Sequence, residues 1–361
     1  MTITHVLRRL AGLIACSAAV LCTAASAQSP EAPAKGSPAK GSPAQVAPAQ
    51  AAPSQPAPAE TAPACPPTAQ VPTNEQVQAG MRDARDHGFL WRLRRDGRVS
   101  FLYGTVHVAR VAWMYPGPRT MRALNGSDTV ALELDLLDPD IQRRLATAMA
   151  ATAADGAQPS RVPAPLPAAL QQRLQRQFDA ECLPAQALAA LGPEMQIATL
   201  ASLAGRRDGL DPSYGIDLFL AGWAHAAKKT VVSLETPEMQ IALLRADTDA
   251  ERNEFVQSAL AQIEGGQSQP LLRRLTQAWA DGDLSEFARY GEWCDCMKAE
   301  ADRAAMVRLL DDRNPALADA VSALHARGSR VFAAVGSLHM VGPAGLPALL
   351  AQRGFQVERL P

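Results

Sequence analysis

The sequence is poor in aromatic residues and carries almost no net charge. Phe, Trp and Tyr make up 5% of the 361 residues, and 35 Lys and Arg are balanced by 36 Asp and Glu, for a formal net charge of −1. No basic stripe interleaved with aromatic residues runs along the chain. Nucleic-acid binding depends on such an electrostatic footprint, so we expect no nucleic-acid partner.

Three widespread signatures of hydrolases and nucleotide-binding proteins are also missing. The chain contains no H-E-x-x-H, no G-x-S-x-G and no P-loop. These motifs carry the chemistry of zinc peptidases, α/β-hydrolases and phosphate-binding loops. A standard zincin or α/β-hydrolase is therefore excluded.

No long apolar segment follows the N-terminal region. Residues 1–27 combine a basic start, a short apolar stretch and an A-x-A site, the pattern of a secretory signal peptide cleaved after Ala27. The residues before Cys16 also match a lipoprotein box, so a lipid anchor at Cys16 is the minor alternative. We expect a bacterial protein that is periplasmic or secreted, with no transmembrane span in the mature chain.

A second compositional zone covers residues 28–75. It is nearly all Ala, Pro, Ser, Gly and Gln, with the block PAKGS repeated. Such a segment has no large apolar side chains to offset the entropy of ordering, which predicts a disordered linker. Residues 76–361, about 285 in number, suffice for one large domain or one domain with a helical insertion.

Four of the six cysteines follow the signal segment: Cys65, Cys182, Cys294 and Cys296. An even number in an oxidising compartment permits disulfides. Cys294 and Cys296 are too close for an ordinary bridge to each other, so we predict that Cys182 pairs with one of them. Free thiols or redox chemistry are the alternative, and a lone C-x-C pair is not a zinc site.

The pattern of apolar runs predicts an α/β fold. Two β-rich runs around Asp96-Gly97 predict an N-terminal hairpin. Residues 129–134, 230–235 and 330–336 predict short buried strands, and the sequence between them is mostly helical in pattern, as in the Leu and Phe repeat of residues 166–178. We predict a mixed, partly parallel sheet with an N-terminal hairpin and a large helical insertion.

Two of the six histidines share one local setting. FLYGTVH ends in His107 and AAVGSLH ends in His339, each an apolar run followed by glycine, two residues and histidine. Ligands of α/β sheets bind at the carboxyl ends of strands, where Glu133 and Glu235 also fall. Two imidazoles and a carboxylate could hold a metal ion that acidifies water, or could act without metal as bases. The structural alternative is that both histidines only bond loop backbone.

The chain resembles the TraB/GumN family over residues 85–360. The resemblance is carried, in family order, by FLYGTVHVA, VALELD, YGIDLFLAGWAHAAKKTVVSLETPEMQ, DDRNPALADAV and VFAAVGSLHMVGPAGLPALLAQRGFQVE. It implies the erythromycin-esterase and ChaN-like fold. It also implies a relation to the Tiki proteases, which are metal-dependent, commonly with manganese or cobalt.

The family pattern has two G-x-x-H motifs, a glutamate between them and an Arg-Asn pair before the second. It falls on Gly104, His107, Glu133, Arg313, Asn314, Gly336 and His339. The resemblance implies His107, His339 and Glu133 as ligands of a divalent ion, Mn, Co or Zn. It implies Glu133, Arg313 and Asn314 as catalytic residues, with Arg313 holding a substrate carboxylate or an oxyanion. A second pair, Arg252-Asn253, lacks the G-x-x-H context and is left out.

Two further carboxylates are candidate supporting residues. Asp217 opens an amphipathic helix, where the helix dipole favours a carboxylate, so both capping and catalysis are open roles. Glu235 ends a predicted strand and is either a ligand or a helix N-terminal acid. Asp135 is expected to be the solvated neighbour of Glu133. The other histidines of the folded part are expected to be structural or exposed: His87, His225 and His325.

Together these patterns lead us to expect a periplasmic, metal-dependent hydrolase of Tiki type that cleaves a peptide or amide bond in a peptide or small-molecule substrate. The alternative belongs to another class. It is a non-catalytic envelope protein that sequesters a peptide, haem or a metal.

Overall fold

The computed structural model describes residues 64–154, 164–298 and 300–361. The predicted signal peptide, Cys16 and residues 28–63 of the predicted linker lie outside these ranges. Within them, no helix combines the length and the apolar character that crossing a bilayer requires.

A mixed sheet lies at the centre of the fold. Its strands are β1 (Phe89–Arg95), β2 (Arg98–Thr105), β3 (Thr129–Leu132), β4 (Thr230–Ser233), β5 (Val331–Gly336) and β6 (Gln356–Leu360). Their order is β4-β3-β5-β2-β1-β6. The strands from β4 to β2 pair in parallel, and β1 pairs antiparallel with both β2 and β6. The predicted mixed, partly parallel sheet is therefore confirmed.

The predicted N-terminal hairpin is formed by β1 and β2. Asp96 and Gly97 are its two loop residues, with φ of 52° and 69°. A two-residue turn with both residues in the left-handed region matches the twist of the strands that it joins. Asp-Gly is a favoured pair for such a turn because both residues tolerate positive φ at low cost.

Helices fill the connections between strands. They are α1 (Asn74–Asp83), α2 (Pro118–Gly126), α3 (Pro139–Ala154), α4 (Ala168–Ala180), α5 (Pro193–Leu203), α6 (Ile216–Ala226), α7 (Pro237–Ala242), α8 (Asp249–Glu264), α9 (Ser268–Ala280), α10 (Leu284–Ala288), α11 (Tyr290–Trp293), α12 (Glu300–Met306), α13 (Asn314–Ala326) and α14 (Leu346–Gln352). A single π-helical turn, Val307–Asp311, follows α12 directly and lies between α12 and α13.

Two hydrophobic clusters stabilise the fold. The sheet core surrounds β3 and β5, whose residues are all buried, as expected for parallel strands covered on both faces. A second core lies among helices and includes Leu174, Phe178 and Phe255. Because this second core is built by helices between β3 and β5, it is the large helical insertion that the sequence predicts.

The prediction that Cys182 pairs with Cys294 or Cys296 is wrong. Cys182 is bonded to Cys65, which lies 117 positions earlier. Cys182 follows α4, whose apolar face belongs to the helical core, whereas Cys294 is buried in the sheet core. A Cys182–Cys294 bond would therefore have to join two separate cores. Cys294 is itself disulfide-bonded.

Residues 64–73, which the composition assigns to the linker, are attached to the helical insertion. Arg206 donates to the carbonyl of Pro67 and Arg207 to that of Ala64, each at 3.0 Å. The Gln70 N–H donates to the Tyr214 hydroxyl at 2.8 Å. Because of these contacts and the Cys65–Cys182 bond, residues 64–73 are part of the folded structure.

Candidate functional site

The carboxyl ends of neighbouring strands bring the predicted site residues together. His107 follows β2, Glu133 follows β3, Glu235 follows β4 and Gly336 ends β5. The register pairs Thr105 of β2 with Gly336, and β3 and β4 continue in parallel beside β5. Because these parallel strands end at the same edge of the sheet, the side chains that follow them face one region.

The two glycines of the G-x-x-H motifs allow close approach at this edge. The Gly336 N–H donates to Glu133 Oε1 at 2.7 Å. A Cβ at position 336 would lie 3.2 Å from that oxygen, 3.6 Å from His107 Nε2 and 3.7 Å from His339 Cδ2. A Cβ at Gly104 would lie 2.9 Å from Ser337 Oγ. Larger residues at these positions would push the site apart, which is the physical reason for glycine.

His107 is held by a carboxylate on each ring nitrogen. Its Nδ1 lies 2.8 Å from Asp217 Oδ2, in the first turn of α6, and its Nε2 lies 3.8 Å from Glu133 Oε1. Burial opposes the charged form of His107, but Asp217 and then Glu133 outweigh it and raise its pKa from 6.5 to about 9. Asp217 thus orients the His107 imidazole, in addition to its favourable place in the first turn of α6.

His339 is held by an amide. Its Nδ1 lies 2.6 Å from Asn314 Oδ1, and Asn314 Nδ2 donates to the carbonyl of Ala344 at 2.9 Å. The second bond fixes which end of the Asn314 amide faces the ring, so Nδ1 carries the hydrogen and Nε2 keeps its lone pair. Burial, followed by the charge of Arg313, lowers the pKa of His339 to about 3. This imidazole is therefore neutral.

Arg313 lies between two buried carboxylates. Its Nη2 donates to Glu133 Oε2 at 2.9 Å and also bonds Glu235 Oε2, and its Nε donates to Glu235 Oε1 at 2.8 Å. Burial alone would raise the pKa of Glu133, but Arg313 and His107 outweigh it and lower the pKa to about 2. Glu133 is consequently ionised at neutral pH.

The local backbone around Arg313 explains its position. The π-helical turn Val307–Asp311 ends just before it, and Arg313 Nη1 donates to the carbonyl of Leu309 at 2.8 Å. Single π turns inside helices are frequent at functional sites. All three guanidinium nitrogens of Arg313 thus bond protein groups. Its direct grip on a substrate carboxylate or oxyanion stays a prediction.

We name this group the strand-end site. It comprises His107, Glu133, Asp217, Glu235, Gln240, Arg313, Asn314 and His339. The structure brings together every side chain that the sequence singled out for the site. Gln240 is the member that the sequence analysis missed, and its Nε2 donates to Glu235 Oε2 at 2.8 Å and to Glu133 Oε2 at 3.3 Å.

Asp135 lies outside the strand-end site, and the expectation that it is solvated is wrong. It is 4% exposed, and its Oδ2 lies 2.7 Å from His225 Nε2 on the last turn of α6. The same helix thus carries Asp217 against His107 at one end and His225 against Asp135 at the other. His325 is structural, as expected, with Nδ1 2.8 Å from Ser100 Oγ.

The donor types of the strand-end site fit a divalent ion. Histidines that bind metals usually donate their other ring N–H to a carboxylate or carbonyl oxygen, and the Nδ1 atoms of His107 and His339 both have such partners. Glu133 Oε1 lies 3.8 Å from His107 Nε2, and the charge of Glu133 also acts on the His339 ring, where it raises the pKa against burial. In the described part of the chain, however, no three His, Cys, Asp or Glu side chains stand close enough to hold an ion as they are placed.

The contact between His107 and Asp217 gives the protein a specific pH dependence. We expect the unfolding free energy of the protein in EDTA to fall by about 2 kcal/mol between pH 7 and pH 10. The folded-state pKa of His107, about 9, exceeds its ordinary value of 6.5. Its contribution is therefore full below pH 6.5 and is lost as the pH rises through 9. Urea unfolding at each pH measures it.

The isosteric change Asp217→Asn is expected to flatten this pH dependence, because it removes the main charge that raises the pKa of His107. Asp135→Asn is the matched control. Asp135, like Asp217, contacts a histidine, but that histidine is His225 of α6 and not His107. If the two variants showed the same pH slope, His107 would not be the titrating group.

Comparison with known proteins places the chain in a family. The model of the TraB/PrgY/gumN family matches residues 89–359, well over half of the chain. This range includes the whole strand-end site and all of the sheet except Leu360, the last residue of β6. Neither the curated proteins nor the solved structures contain a match to the chain. The sequence resemblance is thus confirmed, and the chain belongs to the TraB/PrgY/gumN family.

Proposed function

We propose that this protein is a hydrolase of peptide or amide bonds that depends on a divalent ion held by His107, His339 and Glu133. One observation carries the proposal. Two histidines from distant parts of the chain flank one buried, ionised glutamate, and each is fixed at Nδ1 by an oxygen atom. A purely structural role would not require both rings to be anchored on the same nitrogen beside one carboxylate.

When bound, Mn, Co or Zn supplies a Lewis acid that lowers the pKa of water and polarises a carbonyl. The residues of the chain have separate tasks in this proposal. Asp217 fixes the His107 tautomer and stabilises its positive charge whenever the ring takes a proton. Asn314 fixes the neutral tautomer of His339 that carries its hydrogen on Nδ1. Arg313 holds Glu133 in place and keeps it ionised.

The proposal also places the protein outside the cytoplasm. The Cys65–Cys182 disulfide supports this, because structural disulfides persist in oxidising compartments such as the bacterial periplasm. The signal-peptide pattern of residues 1–27 agrees with it. Fractionation of cells that express the full chain tests this placement.

Metal-induced stabilisation tests the proposed function. After treatment with EDTA and dialysis, the protein is melted with and without Mn, Co or Zn. An ion at a hundred times its dissociation constant is expected to add about 2.7 kcal/mol of stability. The double variant His107→Ala, His339→Ala should lose the response, and His225→Ala should keep it. An identical response of all three proteins, or none from any, would contradict a shared ion at the strand-end site.

One observation favours the alternative, a binding protein for a peptide, haem or a metal. The two oxygens of Glu133 already accept bonds from Gly336, Arg313 and Gln240, so the carboxylate is well satisfied without an ion. Native mass spectrometry of the purified protein decides between the two candidates. A retained ligand together with no hydrolysis of a peptide library would favour binding over catalysis.

A further inference from the structure

A small cavity opens directly beside the strand-end site. It lies between the end of β2, the turn after β5 and helices α9 and α10, with a volume of about 40 Å³. His107, a member of the site, lines the cavity, and so does Gly336, which lies against Glu133 and His107. An occupant of the cavity would therefore lie directly beside the residues that the proposed function uses.

The walls of the cavity are mainly aliphatic. Leu272 and Leu275 of α9, Phe287 of α10, and Val106 and Leu338 from the strand ends line it. The Trp279 indole of α9 donates to the carbonyl of Gly104 at 2.8 Å, which fixes α9 against the end of β2. The volume is a few times what one water molecule needs. It therefore suits a short branched aliphatic group better than an aromatic ring.

One lining residue carries a buried polar atom that has no hydrogen-bond partner in the described part of the chain. Thr105 lines the cavity and is 1% exposed, and its Oγ1 is buried and unpaired among the described residues. The neighbouring hydroxyls differ, because Ser337 Oγ donates to the Thr105 carbonyl and Thr276 Oγ1 donates to the Leu272 carbonyl. A buried hydroxyl without a partner is costly and rare, so Thr105 Oγ1 calls for a partner from a ligand.

From these features we infer that the cavity is the specificity pocket of the strand-end site. It receives a short branched aliphatic side chain, of valine or leucine size, from the substrate residue next to the bond that is cleaved. Thr105 Oγ1 bonds an amide group of that residue. The statement that this side chain belongs to a cleaved substrate rests on the proposed function. The expectation that the cavity binds an aliphatic amide does not.

A binding measurement tests the pocket without any turnover. Isovaleramide, which joins an isobutyl group to an amide, is titrated into the full chain and followed by saturation-transfer NMR, beside acetamide and phenylacetamide. We expect isovaleramide to bind in the millimolar range, as suits so small a ligand, and several times more tightly than the other two. Leu275→Phe should fill the pocket and weaken isovaleramide about tenfold.

Thr105→Val isolates the hydroxyl. It should weaken isovaleramide about fivefold, the size of one hydrogen bond, without lowering the melting temperature, because Oγ1 has no partner to lose. Thr199→Val is the matched control. Its Oγ1 is also buried but donates to the Met195 carbonyl in α5, so it should leave the affinity unchanged. Equal affinity for wild type, Leu275→Phe and Thr105→Val would overturn the pocket.

A cleavage profile separates the pocket from the proposed function. A peptide library is digested by wild type, Leu275→Phe and Leu275→Ala. We expect wild type to prefer Val or Leu next to the cleaved bond, Leu275→Phe to prefer Ala, and Leu275→Ala to prefer larger side chains. Selective amide binding with no cleavage would support the pocket and count against the hydrolase. Cleavage without aliphatic preference, together with no selective binding, would support the hydrolase and overturn the pocket.

Discussion

Replacing Arg313 with glutamine is expected to lower the unfolding free energy by about 3–5 kcal/mol, the usual result of breaking a buried ion pair. The side chains of Glu133 and Glu235 are 7% and 2% exposed, and both would stay buried without their shared positive charge. Glutamine keeps part of the side-chain volume, so the loss reports mainly on charge. Urea unfolding at pH 7 measures it.

The same variant should show a distinctive pH response. Without Arg313, burial is opposed only by His107, His339 and the Gly336 N–H, so the pKa of Glu133 is higher than in wild type and the folded variant takes up a proton more readily. Stability relative to wild type then recovers as the pH falls from 7 to 5. A deficit that stays constant over this range would indicate lost packing instead of unpaired charge.

Arg252→Gln is the matched control for Arg313→Gln. Arg252 is equally buried and is also followed by asparagine, but its partner Asp249 has a side chain that is 21% exposed. Water can therefore solvate the partner, and we expect a loss of about 1 kcal/mol. Adding Glu235→Gln to Arg313→Gln should recover part of the deficit, because one uncompensated charge is removed. Equal losses at both arginines would contradict the role given to Arg313.

His107→Ala is expected to reduce kcat/KM for the peptide that the library identifies by about a thousandfold, within the range for loss of a group that handles protons. His107 contacts Asp217 and faces Glu133. In the proposed function its removal takes away an ion ligand. It also removes the imidazole whose pKa is raised to about 9. Initial rates at saturating and subsaturating substrate separate kcat from KM.

His225→Ala gives this measurement a strict control. His225 forms the other histidine–aspartate contact of α6, at 2.7 Å from Asp135, but its side chain is 45% exposed and lies outside the strand-end site. We expect its kcat/KM to stay within about twofold of wild type, as for a substitution at the surface. Similar losses at His107 and His225 would point to damage of α6 and would refute catalysis at His107.

Much of the strand-end site follows from a simple rule about parallel strands. His107, Glu133, Glu235 and His339 each come just after an apolar run, and the ends of parallel strands meet at one edge. The predicted strands of residues 129–134 and 230–235 end two residues later than β3 and β4 do, which is close enough to place these side chains at the strand ends. For that reason the meeting of residues from four distant segments was predictable from the sequence.

The parts that the sequence did not predict depend on contacts between elements. Gln240 enters the site because α7 begins just after Glu235 and carries Gln240 in its first turn. A glutamine in the first turn of a helix gives no sequence signal of burial. The π turn before Arg313 has no sequence pattern that distinguishes it from an ordinary helix. Cys65 lies in a Pro- and Ala-rich segment without periodicity, so the sequence gives no sign of its partner. The hydrogen bonds of Arg206 and Arg207 to this segment hold it against the helical insertion, where Cys182 lies.

The attachment of residues 64–73 has a mechanical consequence. A pulling force that reaches the domain through residue 64 meets the hydrogen bond from Arg207 to the Ala64 carbonyl and then the Cys65–Cys182 bond. The disulfide passes the force to Cys182, which follows α4 of the helical insertion. The hydrogen bonds of Gln70 to Tyr214, and the Gly215 backbone beside the carbonyl of His107, come after Cys65 along the chain. The disulfide therefore gives tension on the N-terminal segment a covalent path into the domain that begins before these contacts near His107.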